Sequence, residues 1–208
     1  MFHRLLAVLL VVFASWTHAQ TPPQFVEGAD FQRVERAFQV TTGDKIEVLE
    51  AFSYSCIHCA EAAPHVDRWK STAAANAQLV LMPIAWNPDW ELAARAYYAS
   101  ELLKSLDKTH RATFDARFQQ RRTLATAEDY ATFYAELGVD RAKFLSAFKS
   151  FGLNTKIARV NKLAGEYGIS STPTFIVDGK YRLNPKSFAE LPALIDFVVA
   201  KAAAERGK

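Results

Sequence analysis

Val48-Leu49-Glu50-Ala51-Phe52-Ser53-Tyr54-Ser55-Cys56-Ile57-His58-Cys59 is the stretch where the chain passes from strand to helix. Ile46 to Phe52 alternates and then turns apolar, the pattern of a strand buried on one or both faces. Beyond Ser53, apolar positions recur at helical spacing through Cys59, Ala62, Ala63, Val66 and Trp69. Pro64 lies inside this helix and is expected to kink it. The chain has only two cysteines, and both fall at this junction with two residues between them.

That position has specific physics. Cys56 at a helix start faces unpaired backbone N–H groups and the positive end of the helix dipole. Both favour a thiolate over a thiol and lower its pKa. A low-pKa thiolate leaves readily in disulfide exchange. Cys59 stands one turn on, on the same face, where it can close or open a disulfide with Cys56. The His58 ring can add positive charge or a donor near the Cys56 sulfur, favouring the reduced state and making the disulfide a stronger oxidant. The bland reading of His58 is a solvated residue in the first helical turn.

Structural roles for the pair fit less well. A scaffold disulfide over so short a loop gains only about 2 kcal/mol by chain entropy, and a chain of 208 residues buries a core without staples. A zinc site needs about four ligands. Outside the first 19 residues only His58, His65 and His110 are available, with no second cysteine pair. No flavin or nucleotide motif appears, so no cofactor is expected and the cysteines are the whole redox apparatus.

Half the residues are apolar and 23% are charged, the balance of a globular protein. A formal net charge of +3 gives no support to a nucleic-acid partner. The first residues, Met1-Phe2-His3-Arg4, precede an apolar run from Leu5 and a small-residue end at Ala19. These are the parts of a secretory signal peptide over residues 1–19. The apolar run falls well short of the roughly 20 residues that span a bilayer. Export places the thiols where they can be oxidised, and a bacterial-looking leader points to the periplasm.

Outward from the junction, Gln78 to Ala85 reads as a second strand, ended by Asn87-Pro88. From Asp89 to about Gly152 the period is helical, with caps at Thr126 and Asp140 and a helix end at Gly138. A further helix is expected from Asn154 to Gly168. Thr174 to Val177 then leads into Asp178-Gly179, read as a two-residue hairpin turn answered by Lys180-Tyr181-Arg182. Ser187 and Glu190 suggest a capping box for a last helix carrying Leu191, Leu194, Ile195 and Val198. The simplest architecture is one α/β domain split by an all-helical insertion. Pro173, in Ser171-Thr172-Pro173-Thr174, stands before a buried strand, where a cis proline would leave neighbouring backbone free to pair with an extended peptide.

The run from Val48 to Cys59, with Thr172-Pro173-Thr174-Phe175 and Asp178-Gly179-Lys180-Tyr181 downstream, resembles the periplasmic DsbA-like thiol:disulfide interchange proteins. The resemblance covers nearly all the chain after the leader. It implies a thioredoxin-like fold over residues 20–88 and 154–208, interrupted by an all-helical insertion domain over residues 89–153. It implies Cys56 as the attacked sulfur, Cys59 as its buried partner and Pro173 as a cis proline facing them. It implies Glu50 as a buried carboxylate beneath Cys59 that relays protons; the alternative is a strand-end glutamate facing water. The expected partners are reduced, cysteine-containing exported proteins and a quinone-linked membrane reoxidase, with the chain a monomer.

Three positions depart from the family prototype. Ile57-His58 replaces an enclosed Pro-His, and the enclosed pair tunes thiolate stability. Leu79-Val80-Leu81-Met82 offers no lysine to a buried glutamate. Thr172 replaces a valine and can hydrogen-bond near the sulfurs. The expected function is that of an exported oxidase donating a Cys56–Cys59 disulfide. Its competitors are a reductase or isomerase of the same fold, a periplasmic metal carrier using the cysteine pair, and a non-catalytic chaperone or partner-binding module.

Overall fold

A computed structural model describes residues 24–207; the signal-peptide reading of residues 1–19 lies outside them. Five strands form one sheet: β1 (Phe31–Arg33), β2 (Ile46–Phe52), β3 (Ala77–Pro83), β4 (Thr174–Val177) and β5 (Tyr181–Leu183). Their order is β1-β5-β4-β2-β3, with β2 and β3 parallel and every other pair antiparallel. Seven α-helices accompany them: α1 (Ile57–Thr72), α2 (Pro88–Leu102), α3 (Leu106–Phe114), α4 (Ala127–Glu136), α5 (Arg141–Phe148), α6 (Phe151–Glu166) and α7 (Leu191–Arg206).

β2 is buried at every position because both faces of the sheet are covered. Ile46 and Val48 join Val66, Trp69, Phe175, Leu194 and Val198 in a core between the sheet, α1 and α7. Leu49 and Ala51 join Tyr97, Phe114, Tyr130, Phe144 and Ile157 in a second core, built from the helices between β3 and β4. Each cluster buries enough large side chains to supply the hydrophobic drive for its own layer. The Trp69 indole donates to Asp196 at 2.8 Å and fastens α1 to α7.

The expected caps at Thr126 and Asp140 are present, the first as a full capping box with Asp129. Helix α1 runs on through Pro64 to Thr72. Several boundaries differ from the sequence reading. β3 stops at Pro83 rather than Ala85, although the Ile84 amide still donates to the Phe52 carbonyl at 2.7 Å. α6 begins at Phe151, behind Ser150, rather than at Asn154. The Ser187–Glu190 capping box does not form: Glu190 accepts the Ser187 amide at 3.3 Å, but α7 starts at Leu191 with Pro192 in its first turn. The hairpin turn holds three residues, because Val177 pairs with Tyr181 and leaves Asp178, Gly179 and Lys180 between them. Asp178 and Gly179 both have positive φ, and a Cβ on Gly179 would meet the Phe38 carbonyl oxygen at 2.3 Å.

Candidate active site at the start of helix α1

β2 ends at Phe52, and three residues carry the chain to the head of α1. The Cys56 amide donates to the Ser53 carbonyl at 3.1 Å, and the Ser55 amide to the Ser53 hydroxyl at 3.1 Å. This tight turn makes Cys56 the N-cap of α1, with extended backbone and a side chain that accepts from the Cys59 amide at 3.4 Å. A thiolate there receives helix N–H groups that have no intrahelical acceptor.

Both cysteines are free thiols; Cys56 is partly exposed and Cys59 fully buried. The Cys56 pKa falls to about 6: the Cys59 thiol hydrogen bond contributes most, burial opposes it, and Thr172 and the backbone amides of Cys59 and His58 add to the lowering. Cys59 moves far the other way, because burial and then the neighbouring Cys56 sulfur disfavour its charge. One sulfur is thus poised as thiolate while its partner stays a thiol.

The segment before β4 closes the other side. The Thr172–Pro173 bond is cis, as the resemblance implied. The Cys56 thiol points to the Thr172 carbonyl oxygen at 3.5 Å, and the Thr172 hydroxyl is buried with no hydrogen-bond partner among the described residues. Ile57, the residue after Cys56, is 46% exposed. His58 also faces solvent, and its Nδ1 lies 2.9 Å from Glu61. Glu61 raises the His58 pKa by hydrogen bond and charge, with a smaller contribution from Cys56. The part of His58 that acts on Cys56 at short range is its backbone amide.

Glu50 is buried at 3% exposure, which removes the water-facing alternative. Its neighbours across the sheet are Leu81 and Phe175, so no basic residue flanks it. Burial first, then the Asp67 and Cys56 charges, push its pKa up to about 8.

The sequence reading did not single out Tyr54 and His110. Tyr54 is 1% exposed, and its hydroxyl meets His110 Nδ1 at 2.9 Å. Phe52, Tyr97 and Phe114 surround this pair with ring centroids 5.1–6.4 Å from Tyr54 or His110. The turn bearing Cys56 is thereby fixed to α2 and α3. No local signal marks a contact between residues 56 positions apart. Among the described residues, no three His, Cys, Asp or Glu side chains converge as a metal site.

The thioredoxin family profile matches residues 44–197. Thiol:disulfide interchange protein DsbA of Bordetella parapertussis is 36% identical over 88% of this chain and 87% of its own. DsbA of Pseudomonas aeruginosa is 29% identical over 95% of each chain. The crystal structure of the Pseudomonas aeruginosa protein superposes with a TM-score of 0.82 at 30% identity, covering 88% of this chain and 97% of that one. The oxidoreductase NmDsbA1 of N. meningitidis gives 0.78 at 26% identity, over 88% and 96% of the two chains. With a thiolate-favouring Cys56 over a buried Cys59 on this fold, the chain belongs to the DsbA family of thioredoxin-fold proteins and is a protein thiol:disulfide oxidoreductase.

Proposed function

We propose that the protein works as an exported oxidase, in the periplasm after loss of residues 1–19, and donates a Cys56–Cys59 disulfide to reduced client proteins. A client thiolate attacks Cys56; a client–Cys56 disulfide forms and the Cys56–Cys59 bond breaks, releasing Cys59 as a thiolate that takes up a proton. A second client thiolate attacks the client sulfur of the mixed disulfide, forming the client disulfide and expelling Cys56 as a thiolate. Two electrons pass from client to enzyme, and a quinone-linked membrane partner takes them away.

The observation that carries this direction is the contrast between Cys56, with its pKa lowered to about 6, and the buried Cys59. A stable thiolate favours the reduced enzyme and so makes the disulfide oxidising. Cys56 is the exchanging sulfur and Cys59 the resolving one. Thr172 and Pro173 line the client's approach, His58 and Ile57 tune the sulfur, and Glu50 exchanges protons beneath Cys59. Residues 20–88 and 154–208 act as the redox domain, 89–153 as its helical cover, and the working unit is a monomer.

The test is the potential of the Cys56–Cys59 couple against glutathione. A value near that of the family prototype, about −120 mV, supports the oxidase. One near thioredoxin's, about −270 mV, reverses the direction. Cys59→Ala is expected to accumulate client–Cys56 mixed disulfides in a periplasmic extract, and Cys56→Ala none.

A further inference from the structure

The segment between β1 and β2 is fastened over the turn that joins β4 to β5. The Val34 amide donates to the Lys180 carbonyl at 2.8 Å, and the Phe38 amide to the Gly179 carbonyl at 3.1 Å. Glu47 on β2 accepts the Thr41 amide at 2.7 Å and the Thr41 hydroxyl at 2.9 Å. Facing this segment is the C-terminal half of α6. The carbonyls of Tyr167 and Gly168, just past its end, each accept from Arg182 on β5 at 2.9 Å. Between these two walls, each held by hydrogen bonds to its main chain, lies a cleft of about 760 Å³. That volume suits a small molecule.

The lining combines an apolar wall with unused positive charge. Phe38 stacks on Tyr167, with ring centroids 3.5 Å apart and planes 12° from parallel, and Leu163 lines the same cleft. Arg36 enters from one wall and Arg159 from the other. Neither guanidinium has a hydrogen bond or an ion pair among the described residues. The acids close by are engaged: Glu47 by Thr41, and Glu166 by Lys162 at 3.6 Å. A guanidinium without an acceptor is a planar fork that matches a carboxylate or a phosphate. None of Cys56, Cys59, Thr172 or Pro173 lines the cleft.

We infer that this cleft is a second binding site, for a small organic anion whose carboxylate or phosphate is held by Arg36 and Arg159 while its aromatic or apolar body lies against Phe38, Tyr167 and Leu163. The ligand class follows from the lining. An inorganic ion would leave the aromatic wall and most of the volume unused. A neutral aromatic would leave both guanidinium groups without an acceptor, and a cation would meet them as like charge. The site stands apart from the thiols, so it does not depend on the direction in which they pass electrons.

The test titrates phenyl phosphate, phenylacetate and the neutral phenylacetamide into the purified protein and follows the backbone amide NMR signals. The better of the two anions is expected to bind with a dissociation constant of roughly 0.1–1 mM and to shift residues 36–41 and 159–167. Tighter binding of phenyl phosphate assigns a phosphate head group, and tighter binding of phenylacetate a carboxylate. Phenylacetamide should bind about tenfold more weakly than the better anion. Arg36→Gln and Arg159→Gln should each weaken that anion about tenfold, whereas Lys143→Gln, at an exposed position on α5, should leave it unchanged. Equal affinity for the amide overturns the inference, as does an affinity that neither arginine variant lowers. Inorganic phosphate binding as tightly as phenyl phosphate overturns it too, since the aromatic wall would then contribute nothing. So does the absence of any saturable shift in these residues, or a shift confined to the turn around Cys56.

Discussion

The Cys56 sulfur lies 3.5 Å from the carbonyl oxygen of Thr172, a residue 116 positions further along the chain. The sulfur therefore sits between two backbones: the amides at the head of α1 and the segment that enters β4. The first stabilises negative charge; the second brings the buried Thr172 hydroxyl, which lowers the Cys56 pKa by favouring its charged form. A thiolate is the acceptor that hydroxyl needs.

Thr172→Val keeps the shape of the side chain and removes the donor. A hydrogen bond to a charged group is worth about 1.5–3 kcal/mol, so the Cys56 pKa should rise from about 6 by roughly one to two units. Thiolate absorbance followed against pH reads this directly. An unmoved midpoint would remove the hydroxyl from sulfur tuning.

Cys56 also links redox state to stability. Its folded pKa is lowered from 9.0 to about 6, so its contribution is complete above pH 9 and is lost as pH falls through 6. Only the reduced protein has it; the disulfide form carries no thiolate. Cys59, pushed upward by burial, stays a thiol throughout this window. The stability of the reduced protein relative to the oxidised one should therefore shrink between pH 9 and pH 6. Paired urea titrations of the two forms measure it, and a difference constant with pH would contradict the thiolate account.

Glu50 works in the opposite pH direction. Its folded pKa is raised from 4.5 to about 8, so the folded state is favoured below pH 4.5 and penalised progressively as pH rises to 8. Glu50→Gln removes the charge and keeps the volume. The variant should match the unmodified protein near pH 4.5 and gain on it by up to ~1.4 kcal/mol per pH unit across the window. Equal urea midpoints at pH 5 and pH 8 would mean that Glu50 is charged at little cost.

Much of this was legible before the structure, for physical reasons. The Cys56–Cys59 spacing, the strand-to-helix change around it and the caps at Thr126 and Asp140 are local signals, and local signals are written in contiguous residues. β1 was missed because three residues give no periodicity and its ladder is with β5, 150 positions away. The burial of Glu50 followed from the family resemblance; strand alternation alone left it open. The His58 ring was expected beside the sulfur, yet Glu61, one helical turn on, offers its Nδ1 a closer charge.

The least legible contact gives the sharpest acid-stability prediction. His110 Nδ1 faces the Tyr54 hydroxyl at 2.9 Å inside the cage of Phe52, Tyr97 and Phe114. Burial first, then Lys70 and Arg111, lower the His110 pKa from 6.5 to about 4. A lowered folded pKa gives stability that is present above 6.5 and lost as pH falls through 4. His110→Phe keeps an aromatic ring but leaves the Tyr54 hydroxyl without its ring-nitrogen partner, at a cost of about 1–3 kcal/mol at neutral pH. The variant no longer has a buried imidazole to protonate, so it should lose less stability than the unmodified protein between pH 6.5 and pH 4. The two urea midpoints should differ most near pH 7 and converge in acid; parallel curves would show that His110 titrates freely and that its hold on the Cys56 turn is weak.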